Sequence, residues 1–139
     1  MDSGLPTGLK VAFVVSAVAS LGFGLSSLIA PGVVADLSGL PHLDPVFQQA
    51  GGMTLAFGVG ALLSLRARSF EQVRIPLAMG LTTTLLGALG GLYYAATAFH
   101  FQVKPYLLAV VLISLYIAIA DAYYLVQDAR AGVRAKVAA

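Results

Sequence analysis

The stretch LISLYIAIADAYYLV, residues 112–126, places one carboxylate, Asp121, inside an apolar run. The run extends back to position 106 and so reaches the ~20 residues that a helix needs to cross the hydrocarbon core of a bilayer. Charged groups at that depth are rare, and they usually face a bundle interior, a water-filled cavity or an oppositely charged partner. Asp121 is therefore expected to have either a partner or a cavity among the other segments of the chain.

The composition of the 139-residue chain suits a membrane protein. Its residues are 59% hydrophobic and 10% charged, whereas a soluble domain has a charged fraction of about 25%. Continuous apolar runs without alternation favour helices over a barrel. We predict an all-α, integral membrane four-helix bundle with a single domain over residues 1–139. Its transmembrane helices are predicted at residues 11–30, 46–65, 75–99 and 105–127.

The basic residues predict the topology. Lys104 lies at one end of the predicted bundle, and the other lysines and arginines lie at the opposite end, near the two termini and in the turn around Arg66 and Arg68. By the positive-inside rule, both termini are predicted to be cytoplasmic. We expect a multi-pass protein of the bacterial inner membrane, in contact with the lipid bilayer. The formal charge of +2 comes without a basic, aromatic-interleaved patch, so no nucleic acid partner is expected.

Prolines mark the ends of the predicted helices. The first helix is expected to stop before Pro31, and residues 33–40 are expected to form a short segment at the membrane surface. Asp44 is expected to be the N-cap of the second helix. Pro76 is expected in the first turn of the third helix, where its missing N–H has little effect. The polar tail beyond the fourth helix is expected to fray.

Small residues recur at four-residue intervals on three of the predicted helices. This spacing places them on one face, where small side chains let another helix approach closely. The residues expected to pack in this way are Gly52, Ala56, Gly60, Gly87 and Gly91. Three such helices carry more packing surface than one compact bundle needs. The pattern therefore favours contact with other membrane protein subunits or self-association.

Asp121 allows two interpretations. It lies about five residues from the cytoplasmic end of its helix, or ~7–8 Å inside it at ~1.5 Å per residue. Arg66 is expected at a similar level, and in the first interpretation the two form a structural ion pair with a snorkelling arginine. In the other interpretation, Asp121 belongs to a proton relay, or Asp121, Tyr123, Tyr124 and Arg66 contribute to a binding site for a lipid, a quinone or a pigment.

The sequence contains no set of residues typical of catalysis. The hydroxyls in the helices have no intramembrane histidine to act as a base, and the chain has no cysteine. His42, Asp44 and His100 could meet at the outer face, but two histidines in separate loops are more often exposed than metal-bound. We therefore predict no metal site, no cofactor held by the chain and no catalytic residue.

Four features follow one another along the first half of the chain. A helix ends in Leu28-Ile-Ala-Pro31, a Val-rich segment reaches Gly39-Leu40, Asp44-Pro45 follows, and a Gly-rich helix closes on Arg66 and Arg68. This order resembles the small four-helix bacterial membrane proteins of the DoxX-like kind. Some members of that group are small subunits linked to quinone-coupled sulfur oxidation. The resemblance implies a quinone-linked subunit whose partner brings the cofactor.

Together these observations favour a non-catalytic inner-membrane protein that acts as an accessory or assembly subunit of a larger membrane complex. The alternative is a binder or carrier of a small molecule, such as a lipid, quinone or pigment. The surroundings of Asp121 distinguish the two hypotheses. A carboxylate paired with Arg66 supports the structural role, and a carboxylate that faces a cavity without a partner supports the binder.

Overall fold

A computed structural model describes residues 5–97 and 104–137 of the chain. In these ranges the chain is all-helical, which confirms the predicted class. Four of its helices are long and apolar enough to cross a membrane, and they suggest a multi-pass membrane protein. The helices in chain order are α1 (Thr7–Ile29), α2 (Pro31–Ser38), α3 (Asp44–Ser64), α4 (Phe70–Thr97) and α5 (Pro105–Val137).

The start of α4 differs from the prediction. The helix begins at Phe70, about one turn earlier than expected, so Pro76 lies inside the helix and not in its first turn. The side chain of Gln72 causes part of this difference, because its Oε1 accepts a hydrogen bond from the backbone N–H of Arg68 at 2.8 Å. That bond closes the turn before the helix and shortens the polar connection that the sequence indicated.

Two other helix ends also differ. Helix α3 begins at Asp44 itself, Leu43 holds the N-cap position, and no side chain caps the helix. Asp44 lies in the first turn, where a negative charge is favourable next to the helix dipole. Helix α5 continues to Val137, so its polar tail is not frayed as expected. The tail residues are mostly alanine, arginine and other good helix formers, and no proline interrupts them.

Helices α1 and α3 form an antiparallel pair in close contact. A Cβ atom on Gly51 of α3 would lie 2.8 Å from the carbonyl oxygen of Gly24 on α1. One Cβ on Gly58 would lie 2.9 Å from the Leu21 side chain. Glycine at these points allows the backbones to approach, as is common between membrane helices.

Helices α4 and α5 form the second antiparallel pair. Gly91 lies against Val111, with 2.5 Å between an added Cβ and the valine Cγ2 atom, and Gly80 lies against Asp121. Contacts between the two pairs are sparser than contacts within each pair. The bundle is therefore two helix pairs that meet over limited areas.

The two pairs meet in an apolar cluster at the end of the bundle where α1 begins. We call this cluster the apolar plug. Tyr124 and Leu125 of α5 pack against it, as does Phe70 at the start of α4. The plug therefore places the start of α1, the α3–α4 turn and the later part of α5 at the same end. Its buried members are Leu5, Leu9, Phe13, Ala17, Ala61, Val73 and Leu77.

Helix α2 lies at the opposite end of the bundle and packs against α1, α3 and α5. It ends at Gly39, whose φ of 72° is in the left-handed region that favours glycine. The Tyr94 hydroxyl donates a hydrogen bond to the Gly39 carbonyl oxygen at 3.1 Å. The Lys104 ammonium group donates to the carbonyl oxygen of Asp36. These two bonds attach α2 to the α4–α5 pair.

Candidate functional site: a cavity between the helix pairs

A cavity of about 820 Å³ lies between the two helix pairs, and all four long helices contribute to its lining. Its walls are mainly apolar. Pockets that bind small molecules have volumes of ~300–1,000 Å³ and are also predominantly apolar, with a few polar groups that orient the ligand. Both its size and its chemistry fall within the range of pockets that bind small molecules.

Small residues create this cavity. Ser16 and Ser20 line it from α1, Ala56 and Gly60 from α3, and Gly87 from α4. A Cβ atom on Gly60 or Gly87 would meet no other atom within 4 Å. The four-residue spacing that predicted close packing therefore leaves space between the helices.

The predicted packing residues thus have different roles in the described part of the chain. Gly91 packs as expected, against Val111. Gly60 and Gly87 line the cavity and do not touch a neighbouring helix, and Ala56 also lines the cavity. Gly52 is exposed with nothing within 4 Å, because its neighbour Gly51 makes the contact with α1. Packing of Gly52 against a second protein stays a prediction.

Asp121 lies at one end of a stripe of α5 that faces the cavity. Tyr106, Val110, Ser114 and Ile117 precede it at intervals of three or four residues, and all of them line the cavity. Residues at this spacing share one helix face. At ~1.5 Å per residue, the stripe from Tyr106 to Asp121 is about 22 Å long. The Asp121 residue itself is only 5% exposed.

The carboxylate of Asp121 has no partner in residues 5–97 or 104–137. No hydrogen bond and no ion pair within this part of the chain involves it. The ion pair with Arg66 is not formed, because Arg66 lies in the exposed turn after α3. The described ion pair of α5 joins Asp128 to Arg74 instead, with 3.9 Å between Oδ2 and Nε. The expected tether is therefore absent.

Gly80 of α4 lies directly against the Asp121 carboxylate. A Cβ atom at position 80 would lie 2.7 Å from Oδ2 of Asp121, which is closer than such a contact allows. The missing side chain of Gly80 therefore leaves the space that the carboxylate occupies. The sequence shows Gly80 in a series of small residues, but it does not give the register between α4 and α5 that brings the two residues together.

Tyr123 and Tyr124 do not line the cavity, although they were predicted to share a site with Asp121. Tyr123 is 56% exposed on the outer surface. Tyr124 packs against the apolar plug, and its ring meets that of Tyr123 edge to face with 5.1 Å between the centroids. At 3.6 residues per turn, two positions turn Tyr123 to the other side of α5. Tyr124, three positions on, lies about 4.5 Å further along the helix, next to the plug. Tyr106 is the tyrosine that lines the cavity.

Four of the hydroxyl groups that line the cavity are satisfied by their own helices. Several of its hydroxyls donate to the carbonyl oxygen four residues earlier, at 2.8–2.9 Å. These are Ser26, Thr54, Ser64 and Thr84. Ser16, Ser20 and Ser114 make no hydrogen bond within the described residues. The cavity thus presents apolar walls, a few hydroxyls and one carboxylate.

The chain was also compared with protein-family models, with curated proteins and with solved structures. None of them matches it. The resemblance to DoxX-like proteins, drawn from the order of features, therefore stays a prediction. The cavity and the position of Asp121 are the basis for inferring the function.

Two of the three residues considered for metal binding lie in the described part of the chain. His42 Nε2 lies 3.0 Å from Oδ1 of Asp36 on the exposed surface of α2. Asp44 is exposed in the first turn of α3, and His100 lies outside the described residues. Within the described ranges, no group of three or more His, Asp or Glu side chains could hold a metal ion.

Proposed function

We propose that this chain is a multi-pass membrane protein that binds a small, largely apolar molecule in the cavity between its helix pairs. The main support for the proposal is the position of Asp121. Its carboxylate is buried, lines a large cavity and has no partner in the described residues. Burial of an unpaired charge is strongly unfavourable. Ionisable groups within membrane segments mark substrate or ion pathways, proton relays, voltage sensors and the counter-ions of bound ligands.

The walls of the cavity indicate the character of the molecule. Burial of apolar ligand surface contributes roughly 25 cal/mol per Å² removed from water. The hydroxyls of Ser64 and Thr84 already donate hydrogen bonds to their own helices. They therefore contribute little to the binding of a polar ligand. The ligand therefore has a mainly hydrocarbon body and one polar group, which lies next to Asp121.

The basic residues support one orientation in the membrane. Arg66, Arg68 and Arg74 lie in or beside the α3–α4 turn, at the end of the bundle that holds the apolar plug. By the positive-inside rule this end is cytoplasmic. The polar group of the ligand would then lie on the cytoplasmic half of a bacterial inner membrane, and the hydrocarbon body would extend towards α2.

The proposal is tested by the molecules that co-purify with the protein. The protein is purified in a mild nonionic detergent, and bound small molecules are identified by native mass spectrometry and solvent extraction. We expect a defined bound molecule that the Asp121→Asn variant loses. Asp128→Asn is the matched control, because it makes the same change on the same helix outside the cavity.

Two results contradict the proposal. One is a wild-type protein that carries no bound molecule and binds none of a panel of lipids and quinones. The other is a bound molecule retained equally by both variants, since Asp121 would then have no role in its binding.

An accessory-subunit role is the second candidate. Gly52 is exposed on α3, and nothing lies within 4 Å of the position where its Cβ would be. A helix of another protein could approach closely at such a point. This role predicts a co-purifying protein that a Gly52→Leu variant loses while the bound small molecule is retained. A quinone-linked redox subunit is a special case, in which that partner brings the cofactor.

A further inference from the structure

We infer that the molecule bound in the cavity is a cationic amphiphile, whose ammonium group pairs with Asp121 and whose hydrocarbon chain lies along α5 towards Tyr106. This inference rests on the proposed function and specifies its ligand class. It follows from the charges that line the cavity, from the shape of the lined surface and from the fit of Gly80 against the carboxylate.

The charge of the cavity favours a cation. Among the described residues that line it, Asp121 is the only charged side chain. The nearby cations are engaged or outside, since Arg74 pairs with Asp128 and Arg66 is exposed in the turn beyond the plug. A buried carboxylate either takes up a proton or pairs with a positive group, and an ammonium group that donates charge-assisted hydrogen bonds stabilises the ionised form. An anionic ligand would be repelled.

The shape of the cavity favours a linear hydrocarbon chain. The stripe from Asp121 back to Tyr106 is about 22 Å long at ~1.5 Å per residue, and Ile117 and Val110 make it mainly apolar. Gly60 and Gly87 leave open space on the facing helices. The carboxylate lies at the plug end of this surface, so a head group held there directs its chain along the stripe.

Gly80 positions the carboxylate for such a head group. An alanine Cβ at position 80 would lie 2.7 Å from Oδ2 of Asp121. This atom is the end of a side chain that can rotate, so Gly80→Ala is expected to turn the carboxylate aside and leave the helix packing intact. Gly90→Ala is the matched control, because Gly90 lies on the same helix outside the cavity and a Cβ there would meet nothing within 4 Å.

The test uses three probes with the same hydrocarbon chain: dodecylamine, dodecanol and dodecanoic acid. Binding of radiolabelled dodecylamine to the full chain is measured in maltoside micelles, with protein-free micelles subtracted, and the other probes compete. We expect dodecanol and dodecanoic acid to compete at least about thirtyfold more weakly than unlabelled dodecylamine, because removal of one partner from a buried charge pair has effects of that size or larger.

The variants test the residues separately. Asp121→Asn is expected to weaken dodecylamine binding by about thirtyfold or more, and Asp128→Asn by less than about threefold. Gly80→Ala is expected to weaken the binding of dodecylamine and leave that of dodecanol unchanged, whereas Gly90→Ala is expected to leave both unchanged. The comparison of Gly80→Ala with its control variant keeps the test decisive if Asp121→Asn fails to fold.

The source of the ammonium group is resolved by a fourth competitor, lysophosphatidylethanolamine. Displacement of dodecylamine by this lipid identifies a lipid head group as the source, and lack of displacement identifies a free amphiphilic amine. Either result supports the shared chemistry.

The inference is overturned if dodecanol binds as tightly as dodecylamine and Asp121→Asn changes neither, although the proposed function then survives as an apolar binding site. If none of the three dodecyl probes binds and no molecule co-purifies, the proposed function fails as well.

Discussion

Replacement of Gly51 by alanine is expected to destabilise the bundle by separating α1 from α3. A Cβ atom there would lie 2.8 Å from the carbonyl oxygen of Gly24, 2.8 Å from Cβ of Ser27 and 3.1 Å from the backbone nitrogen of Leu28. Two of these three atoms belong to the backbone of α1 and cannot rotate away. The helices must therefore move apart, and the substitution acts on the whole interface.

The expected magnitude follows from two opposing effects. Overpacking of a close contact costs about 1–3 kcal/mol. Alanine in place of glycine in a helix interior contributes about 1 kcal/mol of stability. Gly51→Ala should therefore lower the free energy of unfolding by up to about 2 kcal/mol. Gly52→Ala, one position further along, meets no atom within 4 Å and should be neutral or stabilising.

The comparison is made by unfolding both variants with sodium dodecyl sulfate in nonionic micelles and following helicity by far-UV circular dichroism. The difference between the two variants should be about 1–3 kcal/mol, the overpacking contribution alone. Equal stabilities, or a Gly52→Ala variant less stable than Gly51→Ala, would show that the rotation of α3 against α1 is not the one described.

Three further outcomes are expected. Ser27→Ala should leave the unfolding free energy unchanged or raise it by about 1 kcal/mol, because the buried Ser27 hydroxyl has no hydrogen-bond partner in the described residues; clear destabilisation would contradict this. Tyr94→Phe removes the hydrogen bond to Gly39 and should lower the free energy of unfolding by about 1 kcal/mol. An unchanged free energy of unfolding would show that this bond does not stabilise the position of α2. The chain lacks cysteine, so in intact cells a membrane-impermeant maleimide should label Leu43→Cys and not Arg68→Cys. The reverse labelling would show that the topology is the opposite of the predicted one.

Much of the fold could be predicted because length and apolarity determine which segments can cross a bilayer. The four predicted spans correspond to α1, α3, α4 and α5. Helix ends were predicted well where proline determines them, as at Pro105, which begins α5. The start of α4 was missed, because it depends on a side-chain bond from Gln72 that no pattern of hydrophobicity records.

The candidate site could be predicted only in part. Asp121 was identified because a carboxylate in an apolar run is conspicuous, but its surroundings depend on how four helices are rotated and aligned. Glycines at four-residue intervals show which residues share one face of a helix, but they do not show what lies opposite that face. Gly60 and Gly87 were therefore assigned to packing, although they line the cavity. Arg66 was assigned to Asp121 because the two were expected at a similar level, but the sequence does not show that Arg66 is exposed in the turn after α3.

Photocrosslinking of a bound amphiphile tests most directly whether the cavity next to Asp121 is a binding site. A dodecylamine with a diazirine at its terminal carbon is irradiated with the protein in micelles, and labelled positions are found by peptide mass spectrometry. We expect label on cavity-lining positions within reach of the dodecyl chain, such as Val110 and Ile113, lost in Asp121→Asn and kept in Asp128→Asn. Label confined to outer positions such as Leu86 and Ile119, which are 64% and 68% exposed, and unaffected by Asp121→Asn, would contradict it.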